Sequence, residues 1–184
     1  MTLNKYFPAA CAVILLAGCA SSIIHHDVKI DRSLPVFEVT TTHPIKEIKL
    51  STSNLVKEKT AKGMLLFEDR LARTIKTALI KKKLFDSETT TQNSLILEVT
   101  ITDISYRGKG LMTSITFPGN EDSLTGQMVV SDHAGKVIKK FSVTIDNQHG
   151  GHLGDGEDGR MGRLYQAFAN NTYKALAEID PWLK

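Results

Sequence analysis

His149 and His152 stand three residues apart and are followed closely by Asp155, Glu157 and Asp158. Imidazole beside carboxylate is a donor set able to hold a divalent ion, so His149, His152 and Asp155 are the candidate ligands of a metal site. The spacing argues against one. In HExxH two histidines lie one helical turn apart with the base between them, whereas here Gly150, Gly151, Gly154 and Gly156 surround the ligands and leave them poorly held. A calcium loop counted from Asp155 puts Gly159 fifth and Gln166 twelfth, where it needs carboxylates. Gly154, Gly156 and Gly159 also spell GxGxxG ahead of a helix. Three acidic residues inside that loop repel phosphate, however, and no strand follows to complete a βαβ unit. Neither GxxxxGK[ST] nor GxSxG occurs. Glycoside hydrolysis needs two carboxylates, which sequence alone does not single out among 20 acidic residues. The expectation is no catalytic residue, no metal and no cofactor, and hence not an enzyme.

Cys19 carries the other chemistry. Leu16-Ala17-Gly18 precedes it, and an apolar run from Ala9 to Leu16 lies behind Lys5. This tetrapeptide looks like the lipobox of a bacterial lipoprotein signal, in which small residues precede a cysteine whose thiol accepts a diacylglyceryl group. The resemblance implies a signal peptide over 1–18, cleavage before Cys19, and lipidation of Cys19 with fatty acids such as palmitate. A membrane-spanning helix is the competing reading, but the uncharged stretch from Tyr6 to Ile24 barely reaches the roughly 20 residues a crossing requires, and Pro8 and Gly18 interrupt it. At about 0.8 kcal/mol per buried methylene, one acyl chain binds marginally, whereas two or three anchor a protein durably. Ala20 and Ser21 stand where an aspartate marks retention at the inner membrane in Gram-negative lipoproteins. The resemblance therefore implies the outer membrane, periplasmic face.

The two cysteines are Cys11, inside the signal, and Cys19. With one removed and the other acylated, no thiol remains for a nucleophile, a CxxC redox pair or a thiolate zinc site. Lys and Arg number 23 against 20 Asp and Glu, a net charge of +3 that argues against nucleic acid as partner. Length suits one domain, over 34–184, preceded by a flexible tether over 19–33 whose mixed residues, including His25, His26, Asp27 and Arg32, show no period.

The domain's elements follow from periodicity. Strands are expected over Pro35–Thr42, rich in β-branched side chains, and over Lys46–Ser51, where Ile48 and Leu50 alternate with Glu47 and Lys49. Met64, Phe67, Leu71, Ile75, Ala78 and Leu79 mark one stripe of a helix from about Thr60, its N-cap, to Lys83. The lysines at 81–83 complement the dipole of its last turn. Leu95, Leu97, Val99 and Ile101 form a strand whose phase shifts to Ile104, which implies a bulge near Asp103. Two runs, Leu124 to Val130 and Val137 to Ile145, flank the turn Asp132–Lys136 as a hairpin. The glycine-rich segment 149–162 is expected as a mobile loop leading into a last helix striped by Leu164, Phe168, Thr172, Ala175, Leu176 and Ile179. Asp180-Pro181 stops that helix, with Trp182-Leu183 free to fold back.

These elements make an α+β, two-layer sandwich, with a mostly antiparallel mixed sheet and two amphipathic helices on one face. Phe67, Leu71, Ile75, Leu97, Val99, Val143, Phe168 and Leu176 should share its interior. The lipobox, the strand Leu95–Ile104, the turn Asp132–Lys136 and the glycine-rich loop before the last helix resemble small bacterial envelope lipoproteins carrying a domain of unknown function. Their layout is similar to the TolB amino-terminal domain and to periplasmic lipoproteins of the CsgG and LptE type. The resemblance implies a non-enzymatic scaffold, assembly factor or transport auxiliary, held to the membrane by its lipid and partnered by an envelope protein. The alternative is an envelope hydrolase or metal-binding protein using the loop 149–158.

Overall fold

The structure, a computed structural model, describes residues 24–31, 33–34, 39–40, 42–86, 88, 94–105, 122–147 and 157–177. In chain order the elements are β1 (Ile24–Ile30), β2 (Ile45–Thr52), α1 (Asn54–Ala61), α2 (Glu68–Lys81), β3 (Leu95–Ser105), β4 (Asp122–Ser131), β5 (Val137–Asn147) and α3 (Glu157–Ala177). The strands form one sheet in the order β1-β5-β4-β3-β2, antiparallel throughout except for β2 against β3. The sheet does not close, and the fold is α+β.

Period-two alternation decides which face is covered. Leu97, Val99 and Ile101 on β3, Leu124, Met128 and Val130 on β4, and Phe141, Val143 and Ile145 on β5 point into one core. Leu71, Ile75 and Leu79 of α2 and Leu164, Phe168 and Leu176 of α3 close over it. Lys139 shares the inner face of β5 and is also buried. The opposite face carries Ser51, Glu98, Thr100, Gln127, Ser142 and their neighbours; Ser51 and Thr100 meet through their hydroxyls at 3.1 Å.

The β3 irregularity falls between Ile101 and Asp103, so Ile101 and Ile104 both remain buried across an odd step. At the hairpin, Asp132 accepts from the backbone N–H of Ala134 and of Lys136, both at 2.9 Å, and Gly135 takes the positive φ of 78° that the turn demands.

Five expectations need correction. The segment read as a tether over 19–33 contains β1, whose seven residues pair antiparallel with β5. Its alternation was hidden because an edge strand needs only one apolar face, here Val28 and Ile30. The helix expected over 60–83 is two helices. Thr60 lies inside α1 and donates to the Lys57 carbonyl, and the cap is Ser53, whose side chain accepts from the Val56 N–H. Gly63, at φ 95°, ends α1: its N–H reaches the Thr60 carbonyl and the Met64 N–H reaches that of Lys59, a Schellman pairing. Phe67 therefore precedes α2 and is 41% exposed, while Leu71 and Ile75 are fully buried. Finally, residues 157–162 of the expected loop are the first turns of α3. Of the strand expected over Pro35–Thr42, residues 35–38 and 41 lie outside the described residues; Val39 is buried and donates to the Leu176 carbonyl, and Thr42 is in a turn. Ile179 and the segment from Asp180 to Leu183 also lie outside.

Candidate functional site

Cys19, His149, His152 and Asp155 all lie outside the described residues, so the structure brings none of them to a measured geometry. Glu157 and Asp158 open α3. Among the described residues no group of three or more His, Cys, Asp or Glu stands close enough to hold a metal ion.

One pair has the composition of a nucleophile and its base: Ser94 Oγ lies 2.8 Å from His133 Nε2. The hydroxyl precedes β3 and the imidazole sits in the β4–β5 turn, 39 residues on. Ser94 is only 1% exposed, which keeps a substrate carbonyl from its oxygen. The pair joins the hairpin turn to the start of β3.

The helix layer carries two open grooves. Between the C-terminal half of α2 and α3, Lys81, Lys82, Tyr173 and Lys174 border a space of about 630 Å³, with Lys82 Nζ 5.1 Å from the Tyr173 ring centroid. Ammonium groups beside amides attract anions, and the sequence signal for them was the lysine run 81–83, which reads first as helix capping and solvation and second as a contact for anionic lipid or glycan. At the other end of α2, Thr60, Leu66, Phe67, Asp69, Arg70 and Arg73 border about 610 Å³.

That second groove belongs to a more elaborate region, the end of the sheet where β1 begins. Asn147 faces Ile24 on one side and Asp122 on the other, and Ser123 faces Ser105. The parallel partner Thr52 faces Ile101. The starts of β1 and β4 and the ends of β2, β3 and β5 therefore share one end. Here Arg160 grips Asp122 with two guanidinium nitrogens, its Nε at 2.8 Å from Oδ2, fixing the first turn of α3 to the start of β4. The Phe67 N–H donates to Tyr165 Oη at 3.0 Å, and a Cβ on Gly162 would stand 2.9 Å from the Arg70 guanidinium, so α2 and α3 begin side by side. Lys59 Nζ donates to the Asp103 carboxylate and, at 3.0 Å, to the Ile104 carbonyl, holding α1 on the end of β3. None of this was legible beforehand, since each pair joins residues far apart in sequence.

No protein-family model matches the chain, and no curated protein matches it. Among solved structures, the fold is similar to a PelC dodecamer from Paraburkholderia phytofirmans, with a TM-score of 0.51 and 9% identity over 83% of this chain and 98% of that one. A minor lipoprotein from Acinetobacter baumannii aligns at a TM-score of 0.39 and 13% identity, over 73% of this chain and 90% of that one. At 9% identity the PelC likeness shows a shared fold.

Proposed function

We propose that this chain is a bacterial envelope lipoprotein, acylated at Cys19, that holds an envelope protein partner at the outer membrane and acts as a scaffold instead of an enzyme. The observation that carries the reading is Leu16-Ala17-Gly18-Cys19 behind the apolar run from Ala9. The fold supports a binding role. Its sheet ends in two edge strands, β1 and β2, and an edge offers backbone groups to an added strand. The face opposite the helices is lined by hydroxyl and amide side chains such as Thr100, Gln127 and Ser142, a surface suited to polar contacts.

The test is metabolic labelling with an alkyne fatty acid, followed by membrane fractionation. Wild type should carry label and sediment with outer membranes, and Cys19→Ser should lose label, cleavage and membrane association together. Ala20→Asp should move the labelled protein to the inner membrane. A Cys19→Ser protein processed and labelled like wild type would overturn the reading.

A further inference from the structure

If Cys19 is the acylated residue, as proposed above, the domain has little freedom to leave the membrane. Ile24, the first residue of β1, follows Cys19 by five positions, and five fully extended residues span at most roughly 18 Å. The sheet end that holds the start of β1 therefore lies near the lipid headgroups whatever path residues 20–23 take. Adjacent strands are about 4.8 Å apart, which puts the end of β3 roughly 15 Å from the start of β1, along the same edge of the domain.

α1 is fastened to that end. The Ser53 N–H donates to the Ile101 carbonyl at 2.9 Å, Ser53 Oγ to the Thr102 carbonyl at 3.1 Å, and Lys59 to Asp103 and Ile104. Val56 is the residue that α1 buries; Leu55 is 50% exposed, and Lys57, Glu58 and Lys62 are exposed on the same short helix and its C-cap. The connection to α2 then exposes Leu65 at 38% and Phe67 at 41%. Among the described residues the other large exposed hydrophobic is Ile80, at the opposite end of α2. Glu68 and Asp69 are exposed directly after Phe67, so a seat in an anionic bilayer surface rests on the apolar side chains, and Lys57 and Lys62 supply the contacts to lipid phosphate. The apolar groups enter the headgroup region, and the ammonium groups stay level with the phosphates.

We infer that Leu55, Leu65 and Phe67, with Lys57 and Lys62, form a second membrane contact that lays this end of the domain on an anionic lipid surface. The lipid and the patch then act together: the anchor confines the patch near the bilayer, and the patch orients the domain. Orientation leaves the groove between the C-terminal half of α2 and α3, at the far end from this contact, standing out from the membrane plane toward a partner.

The experiment uses the full acylated protein in vesicles of phosphatidylethanolamine and phosphatidylglycerol, with Leu55→Cys or Ile80→Cys carrying an environment-sensitive fluorophore. Intact mass establishes acylation in each sample. A lipid-borne nitroxide should quench the label at 55 at least threefold more than the label at 80, and iodide should show the reverse order. Lys57→Glu with Lys62→Glu should shrink that difference. Equal, iodide-accessible labels in an acylated sample would overturn the docking face and leave the anchor standing. Shielding at 55 from both quenchers would also overturn it, in favour of a second copy or another protein on this patch. A sample without acyl chains would defeat the anchor reading itself and, with it, the geometry on which the docking face rests.

Discussion

The Phe168 ring occupies the space that a side chain on Gly126 would need: a Cβ built there stands 2.7 Å from Phe168 Cζ and 3.4 Å from Ile101 Cδ1. Both neighbours are fully buried, so neither has free volume to yield. Gly126→Ala should destabilise the domain by about 1–3 kcal/mol through overpacking. The check is the urea midpoint, which should fall with the slope unchanged. An unaltered midpoint would mean that α3 does not press on β4 at this position.

Leu71 and Phe67 were expected to share the core, and the structure separates them. Leu71→Ala removes a fully buried side chain and should cost about 2–5 kcal/mol. Phe67→Ala keeps the backbone N–H that Tyr165 accepts, removes a half-exposed ring, and should cost less than about 1 kcal/mol. Equal losses in denaturation would restore the continuous helical stripe.

This pair marks where the sequence was readable and where it was not. Stripes and alternations that face one core survive translation into structure: Ile75 and Leu79, Leu97, Val99 and Ile101, Phe141, Val143 and Ile145, and Phe168 all came out buried. Even the phase shift near Asp103 was visible, because a bulge displaces the apolar step by one residue. What failed was short or peripheral. α1 has eight residues and buries Val56 alone, so it produces no stripe, and Lys62-Gly63 was the local signal of its end. β1 earns its place by pairing with β5, a partner more than a hundred residues away, and composition does not report pairing. The grip of Arg160 on Asp122 was hidden for the same reason: no local pattern announces an ion pair that tertiary contact creates.

That ion pair should be measurable. Arg160 and Asp122 are both largely shielded from solvent, and hydrogen bonds to charged groups contribute about 1.5–3 kcal/mol each in such settings. Asp122→Asn and Arg160→Met should each destabilise by roughly that much, and the double variant by less than their sum. Strict additivity in the double-mutant cycle would show that the two groups do not support one another.

At the end of β1, Asp31 accepts from the Ser33 hydroxyl at 2.6 Å and the Ser33 N–H at 3.0 Å. The hydroxyl, then the N–H, holds its carboxyl below the ordinary aspartate value, with Lys140 adding a weaker pull in the same direction. Because the folded pKa is the lower one, the stabilising effect is present above the unfolded aspartate's titration range and disappears as pH falls through the folded pKa. Ser33→Ala should move the Asp31 titration midpoint upward in a carbon-detected NMR experiment. A midpoint unchanged by the substitution would show that the Ser33 hydroxyl does not set it.

Ser53 serves α1 twice, as the N-cap that accepts from Val56 at 3.3 Å and as a donor to the Thr102 carbonyl on β3. A helix of eight residues that buries one apolar side chain has little else to hold it, since isolated helices of that length are unstable in water. Ser53→Ala should cost about 0.5–2 kcal/mol, and the loss should be local. Hydrogen exchange is the discriminating measurement. Amides of Lys57 to Ala61 should exchange several-fold faster in the variant, while those of Leu97 to Ile101 keep their protection, because the sheet core is held by β4 and by α3 independently of the cap. If protection falls equally in both segments, α1 is part of the global folding unit. If it falls in neither, the cap contributes nothing, and Lys59 with its hold on Asp103 and Ile104 is what keeps α1 on the end of β3.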